Sequence, residues 1–157
     1  MELIKYQDKQ DIDNIILELA QTNRQVVYGA QSVNIQLPRH LRKQTSDYDI
    51  LTSKPKQSAE ELKNLLNKEI GNKFKVEQAK HLKTFKVKDN EGNTIVDYTS
   101  TTKKPNSKII LGIRYATLEY QKNKIRRLLK DEASRFRYDK DLETLKRIKQ
   151  GNTHIYK

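Results

Sequence analysis

The hydrophobic positions in the first part of the chain alternate between helical and extended spacing. In residues 12–19, isoleucine and leucine recur at i, i+3, i+4 and i+7, which predicts an amphipathic helix. The β-branched run at residues 25–28 predicts a short buried strand. A short helix with Val33 and Leu37 facing inward follows, and we expect Pro38 to end it.

The middle of the chain continues this alternation. Residues 48–51 are typical of a strand, and residues 58–61, Ser-Ala-Glu-Glu, fit a capping box that opens a helix. We expect Gly71 to close that helix. Around Phe74 and Val76, apolar residues alternate with lysines, which predicts a half-exposed strand.

The following segments predict a β-hairpin and one more strand. Residues 84–87 and 94–97 have extended patterns and flank the turn sequence Asp-Asn-Glu-Gly at 89–92. Residues 108–111 predict another short strand after a polar, basic loop. We therefore expect strand pairing in this part of the chain.

From about Thr117 the spacing of apolar residues is helical. A final helix is expected to carry three apolar residues, namely Leu142, Leu145 and Ile148, and to stop at Gly151. These elements, taken in chain order, predict an α+β fold, a mixed β-sheet with helices packed on it and a C-terminal helical segment. We expect a core at residues 1–111 and a helical extension at 112–157, packed on the same domain.

Composition narrows the function classes. The chain has no cysteine, which excludes disulfides, thiolate zinc sites and cysteine nucleophiles. It lacks the apolar run that a membrane span or a signal peptide needs, so we expect no membrane partner and a cytoplasmic location. Lysine, isoleucine and asparagine are frequent, as in AT-rich genomes; for a viral protein the location would be the host cytoplasm.

Charge points to a polyanionic partner. Thirty-two Lys and Arg residues against 20 Asp and Glu residues give a net charge of +12 in a chain of 157 residues. An excess of this size favours salt-dependent contact with nucleic acid, although a lysine-rich soluble surface gives the same composition.

Three aspartates carry the candidate chemistry. Asp47 and Asp49 are two residues apart at the start of a predicted strand, so their side chains point to the same face. Asp97 lies on a later strand. Carboxylates this close repel one another, and Mg²⁺ or Mn²⁺ would relieve the repulsion. The sequence therefore predicts a site for two metal ions, in which one ion activates an attacking hydroxyl and the other holds a triphosphate.

A glycine before a short helix supplies the complementary part. Gly29 follows a predicted strand and lets the backbone turn tightly and approach a phosphate. The N–H groups at the start of the predicted helix are available to bind anionic oxygens, and Ser32 could add a hydroxyl group.

These motifs resemble the DNA polymerase β-like nucleotidyltransferase superfamily, which includes poly(A) polymerases, CCA-adding enzymes and minimal nucleotidyltransferases. The resemblance lies in Val-Tyr-Gly-Ala at 27–30, Asp-Tyr-Asp-Ile at 47–50 and Val-Asp-Tyr at 96–98. It extends to Gly112–Glu119, similar to a strand leading into a helix, and to Arg137–Leu142, similar to the entry of the last helix. It covers about residues 24–150.

The resemblance implies a nucleotidyltransferase fold with its catalytic core at 1–111. Asp47, Asp49 and Asp97 would be the catalytic and metal-binding residues, and Gly29, Ala30 and Ser32 would line the pocket of a nucleoside triphosphate, taken to be ATP. Two departures stand out, since Ala30 replaces a Gly or Ser and the gap from Gly29 to Asp47 is long. The extra segment carries three cations that either reach phosphates or are solvated loop charges: Arg39, Arg42 and Lys43.

The acceptor is open between three classes. The net charge favours an RNA 3′ end, tracked by basic residues of the predicted helix after Thr117, namely Lys122, Arg126, Arg127 and Lys130. The alternatives are transfer to a protein or small molecule, or a catalytically silent nucleic-acid-binding or structural module of the same fold. Because the chain leaves little room for a separate RNA-binding domain, a protein partner or larger assembly is also an expectation.

Overall fold

The structure is a computed structural model that describes residues 2–71, 73–80 and 83–155. Its α-helices are α1 (Glu2–Thr22), α2 (Gly29–Ile35), α3 (Pro55–Glu69), α4 (Leu118–Leu129) and α5 (Tyr138–Ile155). Its strands are β1 (Val26–Tyr28), β2 (Tyr48–Thr52), β3 (Lys75–Gln78), β4 (Thr84–Lys88), β5 (Thr94–Ser100), β6 (Ser107–Ile110) and β7 (Ile113–Ala116). Short 3₁₀ helices lie at Arg39–Leu41 and Glu132–Arg137. Within these ranges, no helix is long and apolar enough to cross a membrane.

The seven strands form one mixed sheet in the order β3-β4-β5-β2-β1-β7-β6. The pairs β2–β5 and β1–β7 are parallel, and the other neighbouring pairs are antiparallel. Together with the helices, this confirms the predicted α+β fold and the hairpin of β4 and β5. The strand β2 lies in the middle of the sheet, between β5 and β1.

The buried side chains of the described residues form two clusters. The larger one joins α1 and α3 to inward-facing residues of the strands, among them Ile50, Val96 and Tyr98. The smaller one joins α2, α4 and α5 through Val33, Leu37, Ile125, Leu145 and Ile148. Because side chains alternate along a strand, the residues next to the buried strand positions point away from α1 and α3.

The helix α3 begins one turn earlier than the capping box predicts. Pro55 is its first residue, where the fixed φ of proline suits a helix start and the missing N–H has no intrahelical acceptor. Ser58 is therefore buried inside the helix, where its Oγ accepts a hydrogen bond from Gln25 Nε2 at 3.0 Å. The prediction that Ser58 caps α3 is wrong.

The helix α5 does not stop at Gly151 but continues to Ile155. Gly151 is buried, and a Cβ atom at this position would lie 2.6 Å from Leu37 Cδ2. The glycine therefore permits close packing of α5 rather than ending it. On the same helix, Leu145 and Ile148 are buried, whereas Leu142 is 42% exposed.

The strands β6 and β7 form a hairpin across the expected boundary between residues 111 and 112. The strand β7 lies inside the sheet, beside β1. The division into a core at 1–111 and an extension at 112–157 stays a prediction.

The buried face of α5 can be tested by matched leucine truncations. Leu145→Ala removes a buried side chain and should lower the free energy of unfolding by about 2–5 kcal/mol. Leu142→Ala on the same helix should lower it by less than about 1 kcal/mol, since the side chain is largely exposed. Urea unfolding followed by circular dichroism measures both values, and equal losses would contradict this assignment of the helix faces.

Candidate active site

The parallel pairing of β2 with β5 brings two aspartates side by side. Asp49 and Asp97 are register partners in adjacent strands. Their chain neighbours Ile50, Val96 and Tyr98 belong to the core under α1 and α3. Both carboxylates therefore lie on the opposite face of the sheet, at its centre.

Asp47 joins this pair from the residue just before β2. Its negative charge raises the pKa of both Asp49 and Asp97, and its Oδ1 is 3.4 Å from Thr45 Oγ1. The three aspartates thus share one electrostatic environment. Among the residues that the structure describes, however, no three histidine, aspartate or glutamate side chains are gathered closely enough to hold a metal ion.

Burial and repulsion act most strongly on Asp49. Burial raises the pKa of this carboxyl group to about 7, with further contributions from the charges of Asp97 and Asp47. The pKa of Asp97 is also raised by burial, while the nearby ammonium of Lys86 opposes the shift. Lys86 Nζ is 3.5 Å from Asp97 Oδ1, and this buried oxygen makes no hydrogen bond within the described residues.

Gly29 lies directly against Asp49. Its φ of +71° is a left-handed conformation that favours glycine, and a Cβ atom there would lie 2.4 Å from Asp49 Oδ2. The N–H group of Gly29 donates to Gln121 Oε1 at 2.7 Å, so it is already paired. Glycine is therefore required here by the turn and by the nearby carboxylate, independently of any phosphate.

A cavity opens beside Asp47 and Asp49, between the sheet and the helices α4 and α5. Its lining includes the backbone turn at Gly29 and Ala30. Five cationic side chains also line it, namely Lys43, Lys124, Arg137, Lys140 and Arg147. A cavity with carboxylates on one wall and cations on the others suits a ligand that carries both phosphates and a metal ion.

A sequence model of the family described as poly(A) polymerase catalytic subunit matches residues 14–129, which include all three aspartates and Gly29. The chain belongs to this family. Membership confirms the predicted nucleotidyltransferase superfamily.

The fold agrees with this family. The Megavirus polyadenylate synthase is similar with a TM-score of 0.78 and 17% identity, over 96% of this chain and 35% of that one. This chain therefore spans about a third of that protein, and at this identity the likeness shows the fold alone. An antigenic nucleotidyltransferase-like protein from Paracoccidioides brasiliensis has a TM-score of 0.47 and 16% identity, over 88% of this chain and 75% of that one, too low to carry an argument. No curated protein is similar enough in sequence to match.

The expected nucleotide-binding residues of this family member divide into two groups. Gly29, Ala30 and Lys43 line the cavity. Arg39 is exposed on a 3₁₀ helix, and the Nε of Arg42 donates to Leu37 O at 2.9 Å; neither lines the cavity.

Ser32 has a structural position instead of a place in the pocket. Its side chain is fully buried, and its Oγ donates to Ala116 O at 2.8 Å and accepts from Gln121 Nε2 at 3.0 Å. The expectation that Ser32 lines the nucleotide pocket is therefore wrong, because α2 turns this residue toward β7 and α4. Its hydroxyl group links three elements behind the cavity.

The basic residues expected to contact nucleic acid lie on α4 or directly after it, outside the cavity. Lys122 is half-buried and pairs with Glu119 at 3.0 Å. The other three are exposed: Arg126, Arg127 and Lys130. Their contact with RNA stays a prediction.

Lys124 was not selected from the sequence, yet it lines the cavity. Its Nζ lies 4.1 Å from the centroid of the Tyr28 ring, beside Asp49. Burial lowers the pKa of Lys124, and the charge of Asp49 opposes this. Helical spacing could have revealed it, because Lys124 shares the inward face of α4 with Gln121 and Ile125.

The position of Ser32 can be tested by stability. Ser32→Ala leaves the buried amide of Gln121 with one partner fewer and should lower the free energy of unfolding by about 1–3 kcal/mol. The exposed Ser46→Ala should change it by less than about 0.5 kcal/mol. Urea unfolding gives both values, and a silent Ser32→Ala would contradict the buried network.

The raised pKa of Asp49 makes metal-free stability depend on pH. The folded chain keeps a proton on Asp49 up to about pH 7, whereas the unfolded chain releases it near 3.8. The folded state therefore binds more protons in this range, and the free energy of unfolding falls as pH rises through it. Asp49→Asn removes this loss, so its gain in Tm over the wild type in EDTA should be larger at about pH 8 than at about pH 5.

The exposed Glu91→Gln is the control and should leave Tm nearly unchanged at both pH values. A gain for Asp49→Asn that is the same at both pH values would contradict the raised pKa.

Proposed function

We propose that the chain is a template-independent nucleotidyltransferase that transfers a nucleoside monophosphate from ATP to an RNA 3′ end, using two divalent ions held by Asp47, Asp49 and Asp97. The observation that carries this proposal is the register pairing of Asp49 with Asp97 at the centre of the sheet, in a chain of the poly(A) polymerase catalytic subunit family. Gly29, packed against Asp49, places the backbone turn beside the same carboxylates.

The donor set fits Mg²⁺ or Mn²⁺. All three side chains are carboxylates, the ligands that these hard ions prefer. Asp97 Oδ1 is buried without a hydrogen bond in the described part of the chain. Burial and then the charges of Asp97 and Asp47 raise the pKa of Asp49, and a bound cation would relieve the repulsion among these charges. Since no three such side chains among the described residues are gathered closely enough to hold an ion, ion binding requires side-chain rearrangement. Bound ions supply the positive charge that phosphoryl transfer needs.

The chain's own residues account for the remaining steps. Lys43, Lys124 and Lys140 line the cavity and would bind the triphosphate oxygens. The Asp97 carboxylate would accept the proton of the attacking 3′-hydroxyl. The new bond joins the 3′-oxygen to the α-phosphorus, the bond from that phosphorus to the bridging oxygen breaks, and pyrophosphate leaves.

RNA as the acceptor is supported by charge. The net charge of +12 and the exposed cations Arg126, Arg127 and Lys130 at the end of α4 favour a polyanion. The family's own description names poly(A) synthesis. Binding to RNA should therefore weaken steeply with salt.

The proposal is tested with labelled ATP, Mg²⁺ or Mn²⁺, and an RNA oligonucleotide with a free 3′-hydroxyl. A ladder of extended products is expected, and a matched oligonucleotide with a 3′-deoxy end should give none. Asp49→Asn and Asp97→Asn keep the side-chain size but remove the charge, and should lower the rate by at least about 100-fold. The exposed Glu91→Gln should retain the wild-type rate.

The other outcomes separate the alternatives. Label that appears on protein instead of RNA would contradict the RNA acceptor while keeping nucleotidyl transfer. Absence of transfer to any acceptor, with RNA binding unaffected by Asp49→Asn, would contradict the enzyme and favour a silent binding module.

A further inference from the structure

Lys86 on β4 is placed directly beside the third aspartate of the site. Lys86 and Asp97 are register partners in the antiparallel pair β4–β5. The adjacent Val87 is in the core under α3, so Lys86 points to the same sheet face as the carboxylates. The side chains are 32% and 21% exposed, and Nζ lies 3.5 Å from Asp97 Oδ1.

A lysine side chain therefore lies beside each of the two aspartates on the strands. Lys124 lies beside Asp49 from the helix side, and Lys86 lies beside Asp97 from the sheet. Three carboxylates that repel one another on the same face of a sheet are unfavourable unless positive charge lies close to them. The metal-free protein therefore needs internal counter-ions.

We propose that Lys86 is the counter-ion of Asp97 in the metal-free protein and that it leaves this carboxylate when a divalent cation binds. The proposal rests on the proposed function, because it takes Asp97 to be a metal ligand. Lys86 contacts neither nucleotide nor metal in this role, and it is a positioning residue.

A second carboxylate lies next to Lys86 on the neighbouring strand β3. A divalent ion bound to Asp97 would be repelled by the ammonium group of Lys86, which lies 3.5 Å from Asp97 Oδ1. On its other side, the register partner of Lys86 is Glu77 of β3, an exposed carboxylate that also pairs with Lys88. The flexible lysine stem can therefore turn from the half-buried Asp97 toward the exposed Glu77, where the two lysines would share one carboxylate.

Lys88 is a matched control on the same strand. It lies two residues farther along, on the same face, and pairs with Glu77 instead of Asp97. Replacing Lys88 by methionine removes the same charge from the same surface, but leaves the partner of Asp97 in place.

The test compares Lys86→Met, Lys86→Arg and Lys88→Met by Mn²⁺ binding, followed by electron paramagnetic resonance, and by Tm in EDTA. Lys86→Met should bind Mn²⁺ about threefold to tenfold more tightly, because nothing competes for Asp97, and should lose about 2–4 °C in Tm without metal. Lys86→Arg should keep wild-type behaviour in both measurements. Lys88→Met should leave Mn²⁺ affinity within about twofold of the wild type.

A double-mutant cycle with Asp97→Asn provides the second test. If the ion pair is what Lys86 contributes, Lys86→Met should have little effect on Tm once Asp97 is uncharged. Unchanged or weaker Mn²⁺ binding by Lys86→Met, or an equal loss of Tm in the Asp97→Asn background, would overturn the proposal.

These outcomes are distinguishable from a failure of the proposed function. A wild type that extends RNA while Lys86→Met shows neither change would overturn only the counter-ion role. A wild type that binds no Mn²⁺ would overturn both the metal site and the displacement of Lys86.

Discussion

The structure depends on one strand pairing, that of β2 with β5. These two strands run parallel in the middle of the sheet, and their register sets Asp49 next to Asp97. A shift of β2 by one residue would turn Asp49 into the apolar core under α1 and α3 and expose the tyrosine and isoleucine on either side of it. The burial of those neighbours therefore stabilises the fold and also keeps the two acids together on the other face.

The three neighbouring carboxylates repel one another, and the charges of the surrounding residues offset part of this repulsion. Asp49 keeps a raised pKa because it is buried beside two other carboxylates. Lys124 and Lys86 bring positive charge to the two strand aspartates from opposite sides. Lys140 and Arg147 from α5 complete the cavity wall together with Arg137, which directly precedes α5 and pairs with the buried Asp141. The region is thus arranged for ligands that bring charges of both signs.

Apolar spacing was sufficient to predict most helices and strands, and the two-residue spacing of Asp47 and Asp49 predicts that their side chains share a face. The position of Asp97 beside Asp49 follows only from the pairing of β2 with β5. The errors concern polar and small residues whose position depends on tertiary packing. Ser32 is equally able to contact a ligand or a buried carbonyl, and only the position of α2 on β7 decides between them. Gly151 looks like a helix end in sequence, but packing against Leu37 explains it. In the sequence, only its helical spacing distinguishes Lys124 from the other cations of α4.

The central claim is that Asp47, Asp49 and Asp97 bind divalent ions together with a nucleotide. Its most direct test is a crystal structure with Mn²⁺ and a non-hydrolysable ATP analogue, because the anomalous signal of manganese locates the ions independently of the protein. We expect anomalous peaks in contact with Asp49 and Asp97, with the triphosphate of the analogue in the cavity lined by Lys43 and Lys124. A nucleotide bound elsewhere, with no anomalous peak at these carboxylates, would contradict it.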